Sequence, residues 1–237
     1  MAVRKSKTLA LVAAGLACMV NPLAPVVQTQ EKPVIQIPQP GVPQIMTMEG
    51  TFVRAAYNKE GYVIIGYQLA NRSVGEDWML LEVGMTLREG ESAQTLKRDA
   101  VSLETPDGKT IPLPTASEHR AANTSALKAR ERVQRDSINY FPPGANRPCR
   151  IGFFADLASP VMPFNEVELS SSRACLGRLY FPVAGGIQYG QHWLNVKFEN
   201  SVVRVPFRIL TQDEEKLLSK NFKDIRKQVQ DAFKNKG

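Results

Sequence analysis

The amino-acid sequence predicts a mainly β protein: an antiparallel β-sandwich carrying an inserted helix and a C-terminal amphipathic helix. Three observations carry that expectation. Short segments rich in β-branched and aromatic residues recur along the chain with turn signals between them. Several alternate apolar and polar residues, as a sheet with one solvated face requires. The regular strand–helix alternation that builds a parallel sheet is missing from the pattern, which sets aside Rossmann-like and TIM-barrel folds.

The strand signals begin near Thr47. Thr51-Phe-Val-Arg-Ala-Ala-Tyr57 leads through Asn58-Lys-Glu-Gly61, a hairpin connection whose Gly can take a positive φ. Tyr62-Val-Ile-Ile-Gly-Tyr-Gln-Leu-Ala70 reads as a central strand, and Asn71-Arg-Ser-Val-Gly75 as a turn. In Trp78 to Leu87, the residues Leu81, Val83, Met85 and Leu87 share one face. Strands at Ala100–Glu104 and Lys109–Leu113 meet across Thr105-Pro-Asp-Gly108, a strong turn signal. Further strands are expected at Cys149–Phe154, Glu166–Leu169 and Ala174–Phe181. A last pair, His192–Phe198 and Val202–Ile209, completes the set, with Pro206 marking an edge or a bulge. That makes nine or ten strands, and no internal repeat is visible.

Two segments depart from this pattern. Thr115-Ala-Ser-Glu118 has capping-box spacing before a stretch rich in Ala, Arg, Lys and Glu, which predicts a helix over about 116–136. Its apolar positions, Ala122, Ala126, Ala129 and Val133, are mostly small. Thr211-Gln-Asp-Glu214 repeats the box, and Leu218, Phe222, Ile225, Val229 and Phe233 then recur at helical spacing, which predicts an amphipathic helix over 211–237.

The N-terminus resembles a secretory signal. Residues 1–24 hold Arg4, Lys5 and Lys7, then an apolar stretch of about 13 residues, and no acidic residue. Residues 25–46 form a Pro-rich linker that disfavours helix. The expected location is therefore periplasmic or extracellular, with lipidation at Cys18 as an alternative fate. Of the 237 residues, 30 are basic and 23 acidic, for a net charge of +7; removal of the signal leaves 27 against 23, or +4. Much of the basic excess thus belongs to the signal, which argues against a nucleic-acid partner. Membrane contact is expected only through a lipid at Cys18 or through the basic terminal helix.

Export also leaves Cys149 and Cys175 as an even pair in an oxidising compartment, where a cross-strand disulfide is expected. Two buried thiols are the alternative. No cofactor is expected, because the chain carries no GxSxG, HExxH, P-loop or GxGxxG pattern. With two histidines, His-dependent catalysis has few candidates: His119 is expected in solvent on the charged helix, and His192 begins a strand. Tyr189, Gln191, His192 and Trp193 combine aromatic faces with directional polar groups, and form the candidate ligand-binding set. Glu166 and Glu168, two apart on a strand, share a side and are the candidate acid–base pair of a hydrolase.

The order of signal, Pro-rich tether and strands, with Tyr62-Val-Ile-Ile-Gly-Tyr-Gln-Leu-Ala-Asn-Arg-Ser73 leading to Trp78, resembles exported bacterial immunoglobulin-like domains over roughly residues 47–210. The two helices and the Cys149/Cys175 spacing depart from a standard domain of that kind. The resemblance implies an immunoglobulin-like β-sandwich acting as a non-enzymatic binding or assembly module of the cell envelope, with an envelope protein or polysaccharide as partner. The alternative is a hydrolase of cell-wall or extracellular polymer.

Overall fold

The computed structural model describes residues 44–155 and 162–234. The expected signal segment, Cys18 and nearly all of the Pro-rich linker lie outside the described residues. Twelve strands are present among them: β1 (Ile45–Gly50), β2 (Val53–Tyr57), β3 (Gly61–Gly66), β4 (Trp78–Leu87), β5 (Gln94–Lys97), β6 (Val101–Glu104), β7 (Thr110–Pro112), β8 (Arg147–Ile151), β9 (Glu166–Leu169), β10 (Arg173–Pro182), β11 (Gly190–Lys197) and β12 (Val202–Ile209). The helices are α1 (Gln68–Asn71), α2 (Ala116–Ala121), α3 (Ser125–Val133) and α4 (Gln212–Lys234). The protein is mainly β, as expected.

The strands form three sheets. One has six strands in the order β1-β2-β3-β4-β10-β8, a second runs β12-β11-β6-β7, and β5 pairs with β9. Alternation decides what lies between them. On β4, Leu81, Val83, Met85 and Leu87 all face inward, and they meet Leu194 and Val196 of β11, Val205 and Phe207 of β12, and Leu103 of β6 in one buried cluster. Leu96, Val167 and Leu169 bring the small third sheet onto the same core.

Several expectations need correction. The sheet is not wholly antiparallel, because β8 runs parallel to β10. Between these two the chain crosses to pair β9 with β5, so it re-enters the large sheet in its original direction. The strand expected over 62–70 ends at Gly66 and turns into α1, where Asn71 caps the far side by accepting the Leu210 N–H at 2.6 Å. The linker gives way to β1 at Ile45, two residues before its expected end. Gly61 does not take a positive φ; a Cβ there would fall 2.2 Å from the Phe198 ring, and Asn58 closes the hairpin by accepting the N–H groups of Glu60 and Gly61.

The inserted helix is two. Ala122 is extended, with ψ 144°, and separates α2 from α3. Small side chains gave the expected apolar face little to bury, and Val133 is 87% exposed. What anchors the pair instead is His119, buried among the rings of Trp78, Phe154 and Tyr180, together with Leu127. Both capping boxes form, at Thr115–Glu118 and Thr211–Glu214. In α4, Leu218 is buried, Phe222, Ile225 and Val229 pack against the core, and ion pairs Arg72–Glu215 and Arg226–Glu49 bind the helix flank to the end of α1 and to β1.

The six-stranded sheet is also apolar on its outer face, where Val53, Ala55, Tyr62 and Ile64 lie. The segment 134–146 crosses this face as a strap, with Ile138 and Phe141 packed onto it and the Tyr62 hydroxyl donating to the Tyr140 carbonyl at 3.1 Å. Two glycines admit the strap. A Cβ at Gly66 would stand 2.3 Å from that of Asp136, and one at Gly84 would stand 2.8 Å from the Phe141 ring.

At the opposite side of the sheet, Cys149 and Cys175 are register partners joined by a disulfide, so the thiol alternative falls. The bond ties the edge strand β8 to its neighbour across a separation of 26 residues. Replacing both cysteines by serine is expected to cost about 3 kcal/mol in chemical denaturation. A loss below about 0.5 kcal/mol would show that the pairing of β8 with β10 holds without the link.

Candidate arginine-lined cleft

Where the strap, β4, β8 and β10 meet, the outer face opens into a cleft of about 370 Å³. The register of the strands builds it. Arg178 on β10 stands opposite Glu82 on β4, and Arg150 on β8 stands opposite Leu176, so alternation sends these side chains outward while Cys175 and Leu179 go to the core. The strap adds Arg135 and Asp136. Phe154 and Tyr180 wall one end, their rings packed edge to face at 5.2 Å and held from behind by His119. The cleft is thus lined by three arginines, two carboxylates and an aromatic wall.

The carboxylates are held by backbone. Asp136 donates its own N–H to Glu82 Oε2 at 2.6 Å, and its Oδ2 accepts the Gln68 N–H at 2.9 Å. Glu82 Oε1 lies 3.6 Å from Arg178 Nε, with both side chains mostly buried. Burial pushes the Asp136 carboxyl up to about 6, against the pull of the Gln68 N–H and with a further push from Glu82. Burial also raises the Glu82 carboxyl, although the Asp136 N–H and then Arg178 and Arg135 draw it back part of the way.

The ligand set read from the sequence does not converge. His192 is fully buried and faces the core, stacked on Phe207, with Nδ1 3.1 Å from the Gly190 carbonyl. Burial lowers its imidazole to about 4, so it is neutral at physiological pH. Gln191 and Trp193 lie on the other face of β11. The Gln191 amide donates to the carbonyls of His192 and Phe207, and the Arg204 guanidinium covers the Trp193 ring at 4.7 Å. Tyr189 is exposed before the strand begins. Glu166 and Glu168 share the outer face of β9, as expected, and Glu168 pairs with Arg173 at 3.3 Å in the open. His119 is buried rather than solvated, because its aromatic neighbours supply more contact than the charged helix surface around it. Among the described residues, no group of three His, Cys, Asp or Glu side chains is placed to hold a metal ion.

The cleft residues carried a signal that spacing motifs do not use. Glu82 is the one charge in β4, and Arg178 is the one charge in β10 beyond its first residue, both on the phase opposite to the core residues. A charge held mid-strand in that way has to find a partner or a cavity. Comparison with family models, curated proteins and solved structures yields no match, so the functional reading rests on the chemistry of the cleft.

The raised Asp136 carboxyl has a consequence for stability. The folded state takes up its proton near pH 6, whereas the unfolded chain does so near 3.8, the ordinary value for an aspartate. Between these values the folded state binds more protons, so acidification from pH 7 toward 4 stabilises through this group. Thermal melts across that range should show a smaller gain on acidification for Asp136→Asn than for the native chain. Identical profiles for the two proteins would contradict the assignment.

Proposed function

We propose that the chain is an exported, non-enzymatic binding or assembly module of the bacterial cell envelope, an immunoglobulin-like β-sandwich whose ligand site is the arginine cleft. Its partner is an envelope protein or polysaccharide that presents acidic groups. The single observation that supports this reading is the placing of Arg135, Arg150 and Arg178 around one cavity on three separate elements. Guanidinium groups hold carboxylates and phosphates through paired, charge-assisted hydrogen bonds, and do so best where water is partly excluded. The cavity walls come from paired strands and a packed strap, so the arginines are presented on a rigid frame.

The test uses polygalacturonate as an acidic polymer and dextran as a neutral one. The native protein should bind polygalacturonate and not dextran, with affinity falling steeply between 50 and about 300 mM salt. Arg135→Gln with Arg150→Gln, which leaves the buried Arg178–Glu82 pair intact, should weaken it by at least about tenfold, on the order of 1.4 kcal/mol. Equal binding of both polymers, or a double variant that binds as well as the native chain, would sink the reading.

A further inference from the structure

The cleft holds its own negative charges as well as its positive ones, and this carries the functional reading one step further. Asp136 is not a surface residue that happens to lie near the arginines. It is seated on Gly66, where any side chain would displace it, and its backbone is tied to Glu82 while its carboxylate is tied to Gln68. An incoming anion must share the cavity with both carboxylates.

We propose that the cleft binds an oxyanion together with a proton, the proton being taken up by the Asp136–Glu82 pair. The inference rests on the reading of the cleft as an anion site, and it names both the ligand chemistry and its regulation. Asp136 is contacted by Glu82 from β4 and by backbone from Gly66 to Gln68, and it shares the cleft lining with Arg178 and Tyr180 from β10, Arg150 from β8 and Arg135 from the strap. Tyr67 also senses Asp136 from the core side, where Arg54 offsets it. With both carboxylates ionised, Glu82 and Asp136 offset part of the arginines' positive charge inside the cleft and repel an incoming anion. Adding an oxyanion beside those carboxylates raises the cost of keeping them ionised, so one takes a proton, and by reciprocity a proton already bound favours the ligand. Burial has brought Asp136 to about 6, which places this exchange in the mildly acidic range.

Sulfate is the appropriate probe, since its charge is constant from mildly acidic to neutral pH. Calorimetric titration of the native chain at pH 5.5 and 7.5 should give about tenfold tighter binding at the lower pH. Repeating the titration at pH 7.5 in two buffers of different ionisation heat should show net proton uptake on binding. Asp136→Asn should bind sulfate at pH 7.5 nearly as well as the native protein does at pH 5.5, with the pH dependence largely gone. Inorganic phosphate and acetate, run beside sulfate at pH 5.5, separate a phosphoryl ligand from a carboxylate one. Sulfate bound equally at both pH values, without proton uptake, would overturn the proposal and leave the cleft as a simple anion site. An unchanged pH dependence in Asp136→Asn would overturn it too. Absence of sulfate binding by the native chain at either pH would remove the anion site itself. The buffer comparison uses the unaltered protein, so the proposal stays testable even if the variant folds poorly.

Discussion

A six-stranded sheet that is apolar on both faces has to be covered twice, and the rest of this molecule follows from how that is done. The inner face is met by the four-stranded sheet, through layers of Leu, Val, Met and Phe that alternation delivers from both sides. On the outer face an extended strap covers Val53, Ala55, Tyr62 and Ile64, while Tyr180 farther along the sheet lies against His119 of α2. That strap can come close enough only where the strand surface has no side chain, at Gly66 and Gly84. The cleft is therefore a by-product of incomplete cover: the strap shelters β2, β3 and β4 and leaves the outward residues of β10 and β8 partly open.

A second device holds the opposite end of the two sheets in place. Glu60, in the β2–β3 hairpin, is buried and accepts from Gln94 Nε2, the Asn200 N–H and the Ser201 hydroxyl. Burial alone would raise its carboxyl, but the hydrogen bonds from Ser201, Asn200 and Gln94 outweigh that and hold it below the usual carboxylate range. One carboxylate thus joins three connections belonging to all three sheets' ends. Arg98 plays the matching part from the positive side. It donates to the carbonyls of Pro114, Phe153 and Phe164 while lying over the Phe153 and Phe154 rings.

Much of the β architecture was legible in the sequence, and the reasons are local. The strands at Trp78–Leu87, Glu166–Leu169 and Val202–Ile209 coincide with their expected limits, because turn residues bound them and alternation runs through the second half of the first and through the other two. Pro206 indeed lies on an edge strand. The misses are equally particular. β5 has too few apolar residues to stand out, since only Leu96 is buried. The break at Ala122 was hidden by good helix formers on either side. The candidate site was the least legible part, because Glu82, Asp136, Arg150 and Arg178 are far apart in the chain and only strand register and the strap bring them together. Conversely, Tyr189, Gln191, His192 and Trp193 are neighbours in sequence, and the two-residue period of β11 divides them between its faces.

One small contact at the start of the described chain bears on how the molecule behaves among copies of itself. The Gln44 side chain reaches Arg204 on β12, accepting its N–H at 2.9 Å and donating to its carbonyl at 2.6 Å. Among the described residues β12 is the outermost strand of its sheet, and an open strand edge offers a template to an extended polypeptide. A side-chain amide has the same donor and acceptor as a peptide group, so Gln44 serves at Arg204 as a one-residue stand-in for another strand. The residue immediately before β1 thus occupies one edge position of β12 that an added strand would need.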